Sequence, residues 1–470
     1  MSRCQEAVPG WIMPMGRALE NLDPRKNSFG IIIIDEASQS DVASLAILYM
    51  GKKLIIVGDD KQVSPMAVGV EVDKMNALQQ MYIQDKIPNA HLYDAKTSIY
   101  DIAKTTFQPL MLREHFRCVP QIIGFSNMLS YDDQIKPLRE AGSSALLPAV
   151  VNYRVENGHR EDKRKVNPAE ARAIAALMRG CMAQPEYAGK TFGVISLLGD
   201  DQVKLIQQEL ERTIDARQII DRKILCGNAS QFQGDERDVI FLSMVDSGTG
   251  NGPLHMQNFG MDDATRKRYN VAASRARDQL WVVDSLNTAN DLKPGDIRKT
   301  LIDYSLNPDA RTEQHRLAEK KAESPFEAAV AKALLDRGYR LEQQRSVGAY
   351  RLDMVAVCGG KSVAIECDGE RWHSGERKVR EDMERQTILE RLGWRFIRIR
   401  GSEYYRDPKK AMERVFWELD ALQIRPEGQN PEQKPDSDLL ARVKAYAQTM
   451  LAPEPEEPRE QTIRAALRAD

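Results

Sequence analysis

Two continuous apolar runs that each end in a pair of acids constrain the fold of this chain most strongly. FGIIIIDEASQS ends its apolar run at Asp35 and Glu36, and KKLIIVGDDKQVSP ends its run at Asp59 and Asp60. Such runs are typical of parallel strands buried on both faces, whose carboxyl ends carry functional groups. The intervening segment 41–51 predicts a crossover helix that stops at its final glycine. The pattern therefore predicts an α/β fold with a parallel sheet.

A second α/β unit follows. Its apolar segments 192–198, 238–245 and 279–285 predict strands, and 200–214 predicts a helix between the first two. Residues 291–323 are polar and charged, as a connector would be.

Composition excludes several classes of protein. The net charge is −2, so a nucleic-acid partner would need local basic patches. The six cysteines form no CxxC pair, which argues against a zinc site or a disulfide framework and favours the cytoplasm. We expect no signal peptide, because the first residues contain no continuous apolar segment. We expect no membrane partner, because no apolar run approaches the ~20 residues of a membrane span.

The acid pair after the first run suits phosphoryl chemistry. One carboxylate, Asp35, can hold Mg²⁺ while Glu36 orients and deprotonates an attacking water. A capping role before a helix is the alternative for this pair when it is taken alone.

Five motifs in order extend this interpretation. They are DEASQS (35–40), GDDKQVSP (58–65), LREHFRCVPQIIGFSN (112–127), ASQFQGDERDVIFLS (229–243) and NVAASRARDQLWVV (270–283). Across residues 29–285 the chain resembles the superfamily 1 helicases, in the branch that includes the nonsense-mediated-decay RNA helicase. The resemblance implies a RecA-like helicase core.

The resemblance also implies residue roles. They are Mg²⁺ binding by Asp35, general-base action by Glu36, γ-phosphate sensing by Gln39 and Gln62, arginine-finger action by Arg117 and Arg275, and proximity to nucleotide and nucleic acid for Gly234 and Glu236. An exposed surface arginine is the alternative for each finger. His115 and Phe116 depart from the usual Gln-Tyr before the first arginine.

One helicase element is missing from the sequence. No GxxxxGK[ST] phosphate-binding loop (Walker A) precedes Asp35, and EYAGKTF (186–192) has Gln184 where the first glycine should stand. We therefore expect an incomplete first RecA-like domain, as in the C-terminal part of a longer helicase. ATP would be a cofactor only if an upstream polypeptide supplied the loop.

A predicted hairpin forms a second constellation of acids. YRLDMVAVCGGKSVAIECDG has Gly359 and Gly360 between β-type runs, which indicates a two-residue turn. Pairing outwards places Asp353 opposite Glu366, with Asp368 two residues along on the same face. The other face would carry a core composed of Leu352, Met354, Ala356, Val363 and Ile365. Three converging acids predict a divalent cation, Mg²⁺ or Mn²⁺; carboxylates on a solvated sheet face are the alternative.

The elements around this hairpin give an α-β-β-β-α-β order. Together with RLDMVAV, IECDG, WH and ERLGWRFIRI, this order resembles the PD-(D/E)XK nucleases, and the Vsr-like endonuclease domains appended to superfamily 1 helicases in particular. The implied roles are Mg²⁺ ligation by Asp353 and Glu366, assistance by Glu327, and positions near the scissile phosphate for His373, Arg380 and Arg385, with Gln344 a weaker candidate.

Three points qualify the nuclease resemblance. Asp368 stands where the family usually has lysine, which puts activity in doubt more than fold. A buried or capping role is the alternative for His373. The basic run 371–400, with Trp372, could contact a phosphate backbone, although its interleaved acids also fit a solvated helix face.

These observations predict five regions: part of a first RecA-like domain (1–105), a second RecA-like domain (106–290), a linker (291–323), a restriction-endonuclease-like α/β domain (324–424) and a mostly disordered tail with one helix (425–470). We expect a helicase–nuclease that acts on nucleic acid, with DNA favoured over RNA. The alternative is an inactive nucleic-acid-binding or scaffold protein derived from one.

Overall fold

The computed structural model describes residues 8–63, 72–139, 144, 146–161, 164–257, 263–308, 324–348, 350–368, 386–426 and 437–452. Its helices are α1 (Met15–Asn21), α2 (Leu45–Leu48), α3 (Val72–Tyr82), α4 (Ile99–Lys104), α5 (Pro120–Ser130), α6 (Pro168–Met182), α7 (Asp200–Thr213), α8 (Ala216–Asp221), α9 (Asp263–Ala273), α10 (Ile297–Leu306), α11 (Pro325–Asp336), α12 (Gly401–Arg406), α13 (Pro408–Ala421) and α14 (Ser437–Leu451). Its strands are β1 (Phe29–Ile34), β2 (Gly51–Ile56), β3 (Glu114–His115), β4 (Lys136–Pro137), β5 (Val150–Arg154), β6 (Phe192–Ser196), β7 (Leu225–Asn228), β8 (Arg237–Ser247), β9 (Ala276–Ser285), β10 (Arg340–Val347), β11 (Tyr350–Cys358), β12 (Lys361–Asp368) and β13 (Phe396–Arg400).

The chain divides into two compact units. The first unit comprises Met1–Leu112 with Phe259–Val271, and the second comprises Arg113–Asn258 with Ala272–Asp470.

The first unit contains a parallel pair, β1 and β2, in which Ile34 lies beside Ile56. Both acidic motifs therefore leave the sheet at the same edge, as predicted. The prediction that both faces are buried is wrong, because Ile31 is 58% and Ile33 65% exposed. The hydrophobic cluster of this unit, which includes α1 and α2, covers only the other face of the pair.

The crossover between these strands is shorter than expected. A 3₁₀ turn (Val42–Ser44) leads into the four residues of α2. Gly51 begins β2 instead of ending a long helix, because its backbone pairs with Phe29 in the parallel ladder.

The second unit contains, after the short parallel pair β3 and β4, a five-stranded parallel sheet in the order β5-β9-β8-β6-β7. The predicted strands at 192–198, 238–245 and 279–285 and the helix at 200–214 are all present. Phe241 and Trp281 stack with centroids 5.6 Å apart inside its core.

Helix α14, the predicted helix near the end of the chain, packs against α6 of this sheet domain. Leu439, Val443 and Ala447 are completely buried in the shared core. A Cβ atom at Gly180 would lie 2.6 Å from the Val443 carbonyl oxygen, so the close approach of the two helices requires glycine. Arg442 strengthens the contact through an ion pair to Glu186 (2.5 Å).

The second sheet of this unit has the order β10-β11-β12-β13, with β12 and β13 parallel. The predicted hairpin is confirmed, because Met354 pairs with Ile365 and Cys358 with Lys361 in the expected register. Gly359 (φ 55°) and Gly360 (φ 79°) both adopt the left-handed conformation that a tight hairpin turn requires. Together with α11, a helical stretch at 386–391 and the helices after β13, the α-β-β-β-α-β order is present.

Both faces of this sheet are covered. Residues from α11 and α13 pack on one face, and Trp394 with Leu138 packs on the other. Leu352 was predicted to share a face with Met354, but it packs with Trp394 on the opposite side. The β10–β11 ladder is irregular beside this position, because Gln344 on the neighbouring strand has φ 53° and the ladder skips it.

Helix α10 lies inside the segment predicted as a linker. Ile297 and Leu301 are buried, and Tyr304 packs edge-on against Phe125 at 5.6 Å. Within the described ranges, no helix is both long enough and apolar enough to cross a bilayer.

Candidate nucleotide and metal sites

Asp35 and Glu36 follow β1 directly. Glu36 has φ 53°, a conformation that costs energy in a residue other than glycine and often occurs at functional positions. Its amide donates a hydrogen bond to Asp35 Oδ1 (2.9 Å), and Gln39 Nε2 donates to Glu36 Oε2 (2.9 Å). The structure therefore brings these three predicted residues together and orients the Glu36 carboxylate.

The second acidic motif lies beside the first. The Asp59 amide donates to Ser38 Oγ (3.3 Å), and Gln62 Nε2 donates to Asp59 Oδ2 (3.0 Å). Asp60 pairs with Lys104. Burial alone would raise the pKa of Asp60, but the hydrogen bond from Lys104 and nearby positive charges outweigh it and hold the pKa below its usual value.

The two predicted arginine fingers belong to the second unit and lie near each other. Burial, together with the charges of Arg117 and Arg275, lowers the pKa of His115 to about 4. Arg117 Nε lies 2.5 Å from Glu236 Oε2, and Arg275 is only 2% exposed. The surface alternative is therefore wrong for Arg275. Gly234, two residues before Glu236, has φ 81°, a left-handed conformation that favours glycine at this position. Action of these arginines on a nucleotide stays a prediction.

Arg139 holds the backbone around the predicted arginine fingers, a role that the sequence did not predict. Its Nη1 donates to the carbonyl oxygens of Arg117 (3.1 Å) and Arg277 (2.7 Å). It also pairs with Asp278, which accepts a second ion pair from Lys190 (2.6 Å). Arg139 thus fixes the backbone that carries Arg117. No local pattern marks it, because its partners are up to 139 residues away in the sequence.

The acids of the predicted metal site, which we call the acid cluster (Asp353, Glu366 and Asp368), gather at the open end of the hairpin. Asp353 Oδ2 accepts a hydrogen bond from the Cys367 amide (2.7 Å). Burial, together with the charges of Asp353 and Asp368, raises the pKa of Glu366 to about 8. Glu366 is half-buried, so it is not a fully solvated carboxylate, and cation binding by the acid cluster stays a prediction.

Glu327 and Gln344 lie next to each other. Gln344 Nε2 donates to Glu327 Oε2 (2.7 Å), and the Ser324 hydroxyl donates to Glu327 Oε1 (2.9 Å) at the start of α11. The charge of Glu327 also helps to raise the pKa of Cys367, although burial is the largest cause. Glu327 is thus close to the acid cluster.

Other predicted residues of the nuclease site lie outside the described residues; they are Trp372, His373, Arg380 and Arg385. Arg398 Nη1 lies 3.4 Å from Asp368 Oδ2. Across the described ranges, no group of three His, Cys, Asp or Glu side chains is already arranged to hold a metal ion.

Comparison with known families separates the two parts of the chain. Residues 95–287 match the AAA domain family AAA_12, and residues 326–419 match the family REase_MTES_1575. The 5'-3' DNA helicase ZGRF1 of Mus musculus is 27% identical over 268 residues, which are 55% of this chain and 13% of that protein. These matches support a superfamily 1 helicase-like region and a restriction-endonuclease-like region in the same chain.

Two further relatives match this chain over most of its length. The uncharacterized ATP-dependent helicase MG140 homolog of Mycoplasma pneumoniae is 23% identical, over 83% of this chain and 37% of that protein. Helicase sen1 of Schizosaccharomyces pombe is 24% identical, over 60% of this chain and 16% of that protein. The chain thus spans between 13% and 37% of the length of these three relatives.

Proposed function

We propose that the restriction-endonuclease-like domain hydrolyses phosphodiester bonds of nucleic acid with a divalent cation, Mg²⁺ or Mn²⁺, held by Asp353, Glu366 and Asp368. The helicase part would supply ATP-dependent movement along the same nucleic acid. DNA is the favoured substrate, because the relative from Mus musculus is described as a DNA helicase.

The observation that carries this proposal is the environment of Glu366. Its raised pKa has two sources, burial and the negative charges of Asp353 and Asp368. Three neighbouring carboxylates repel each other, and the nearby Arg398 offsets their charge only in part. Carboxylate oxygens are the ligands that Mg²⁺ and Mn²⁺ prefer. The donor set therefore fits a hard cation, which would supply an activated water for attack on phosphorus.

The proposal is tested by metal titration and by DNA cleavage. Calorimetry with Mn²⁺ and nicking of supercoiled plasmid should both give a signal with the full chain. Glu366→Gln should abolish both, because the amide is neutral and donates hydrogen bonds where a ligand must accept. Glu413→Gln, an exposed glutamate on α13, is the matched control and should change neither.

Asp368→Lys sharpens the test, since it restores the residue common in this nuclease family. Cleavage should persist or increase in this variant. Absence of Mn²⁺ binding by the wild-type chain, together with no nicking, would favour the scaffold alternative.

We further propose that another polypeptide segment, carrying the phosphate-binding loop, covers the exposed face of β1 and β2. The support is the apolar surface formed by Ile31, Ile33, Ile55 and Val57, each at least 42% exposed. ATP binding would then require that segment. A fluorescent ATP analogue should bind this chain only weakly when the chain is alone. Tight binding that persists in Lys61→Ala and disappears in Asp35→Ala would show that the additional segment is not required.

A further inference from the structure

A cavity of about 420 Å³ opens beside β13, where this edge strand leads into α12 and the start of α13. Its charged lining consists of four cations, Arg400, Arg406, Lys410 and Arg414, and two carboxylates, Glu403 and Asp407. A volume of this size is typical of cavities that bind small ligands or parts of larger ones.

The two carboxylates are already engaged within the protein. Glu403 accepts two hydrogen bonds from Arg414 (2.9 and 3.1 Å), and Arg414 also donates to the Arg398 carbonyl oxygen (2.9 Å). Asp407 caps α13 by accepting from the Lys410 amide (3.1 Å). Glu403 is therefore paired with Arg414, and Asp407 leaves one negative charge against the three remaining cations of the cavity.

Arg400, Arg406 and Lys410, which we call the basic triad, have no ion-pair partner in the part of the chain that the structure describes. All three side chains are exposed. Two guanidinium forks and one ammonium around a single cavity favour an anion with several acceptor oxygens, and a phosphate group has this chemistry.

The position of the basic triad indicates that this phosphate belongs to nucleic acid bound at the acid cluster. Arg400 is the register partner of Asp368 across the parallel β12–β13 pair. Their Cα atoms are therefore about 5 Å apart, the usual spacing between neighbouring strands. An anion in the cavity would lie one strand beyond the acid cluster, on the outer side of the edge strand.

We propose that the basic triad binds an internal phosphodiester of the nucleic-acid strand, next along the backbone from the phosphate at the acid cluster. This proposal rests on the proposed nuclease function. By binding the neighbouring phosphodiester, the basic triad would keep the reacting phosphate at the acid cluster. It would act as a positioning contact, since backbone contacts fix orientation without reading sequence.

The test is fluorescence anisotropy of the full chain with a labelled single-stranded oligonucleotide, with metal chelated so that cleavage is absent. Lys410→Gln and Arg406→Gln should each weaken binding about tenfold. Each should also reduce the slope of log affinity against log salt by about 0.7, the loss of one phosphate contact. Lys409→Gln, the neighbouring exposed lysine outside the cavity lining, makes the same charge change and should have little effect.

Two further arms identify the source of the phosphate. An oligonucleotide with a 5′-phosphate and one without should lose affinity equally in Lys410→Gln, and inorganic phosphate should compete only weakly. A loss confined to the 5′-phosphorylated oligonucleotide, or equal losses in Lys410→Gln and Lys409→Gln, would overturn the proposal.

The outcome is separable from that of the nuclease proposal. Mn²⁺ binding by calorimetry should be unchanged in Lys410→Gln. If the wild-type chain binds no Mn²⁺ and nicks no plasmid, the cleavage proposal fails while the comparison of Lys410→Gln with Lys409→Gln still decides the phosphate site.

Discussion

Replacement of Glu170 by glutamine should change how stability depends on pH in the five-stranded sheet domain. Glu170 is completely buried on α6. Its Oε2 accepts from the Ser243 hydroxyl (2.7 Å) and the Val245 amide (2.8 Å), and its Oε1 accepts from the Ser285 hydroxyl (2.9 Å) and Asn167 Nδ2 (3.2 Å). Burial nevertheless raises the pKa of Glu170 from 4.5 to about 8, against the effect of these hydrogen bonds.

The raised pKa fixes the sign of the pH effect. Between pH 4.5 and about 8 the folded domain keeps a proton that the unfolded chain has lost, so the free energy of unfolding falls as pH rises. The fall is about 1.4 kcal/mol per pH unit, or about 5 kcal/mol across the window. Glu170→Gln cannot ionise and loses this dependence. Below the window it should be about 1 kcal/mol less stable than wild type, because its amide nitrogen would face Asn167 Nδ2.

The two stability profiles should therefore cross. Urea titrations from about pH 4 to about pH 9 measure this, with pulsed hydrogen exchange of the peptide containing β8 to isolate the domain. Wild type should be the more stable protein at the acid end, and Glu170→Gln should be the more stable by about 3 kcal/mol near pH 8. Glu156→Gln, an exposed glutamate after β5, should follow the wild-type profile. Parallel profiles for wild type and Glu170→Gln would refute the reasoning.

Two other predictions concern the helicase part and its contact with the nuclease sheet. The chain as given should not hydrolyse ATP at a helicase-like rate with single-stranded DNA present, because it has no phosphate-binding loop; phosphate release of several turnovers per second that disappears in Glu36→Gln would contradict this. Leu138→Ala should destabilise the restriction-endonuclease-like domain by about 3 kcal/mol, because Leu138 is completely buried against Trp394. Leu306→Ala, at a 63% exposed position on α10, should change the urea midpoint little.

The hairpin of the acid cluster could be predicted from sequence because its determinants are local. Two adjacent glycines supply the two left-handed residues of the turn, and the turn then fixes every pair outwards to Met354 and Ile365. The position of Leu352 could not be predicted in this way. The β10–β11 ladder is irregular beside Leu352, where Gln344 on the other strand adopts a left-handed conformation, and no sequence pattern marks this irregularity.

The prediction that β1 is buried on both faces is wrong for a related reason. An apolar run shows that a strand can be buried on both faces, but burial itself needs a second layer of structure. In the described part of the first unit, the hydrophobic cluster covers the Ile34 side of the strand and leaves Ile31 and Ile33 exposed.

The contacts between the helicase sheet domain and the nuclease sheet depend on two neighbouring residues whose partners lie far apart in the sequence. Leu138 is buried in the nuclease core, and its carbonyl oxygen accepts a hydrogen bond from Trp394 Nε1 (3.2 Å). Arg139 binds the carbonyl oxygens of Arg117 and Arg277. One peptide bond joins these two anchors. The backbone that carries Arg117 therefore cannot move relative to the nuclease sheet without breaking the hydrogen bonds of Arg139 or the packing of Leu138, and neither restraint has a local signature in the sequence.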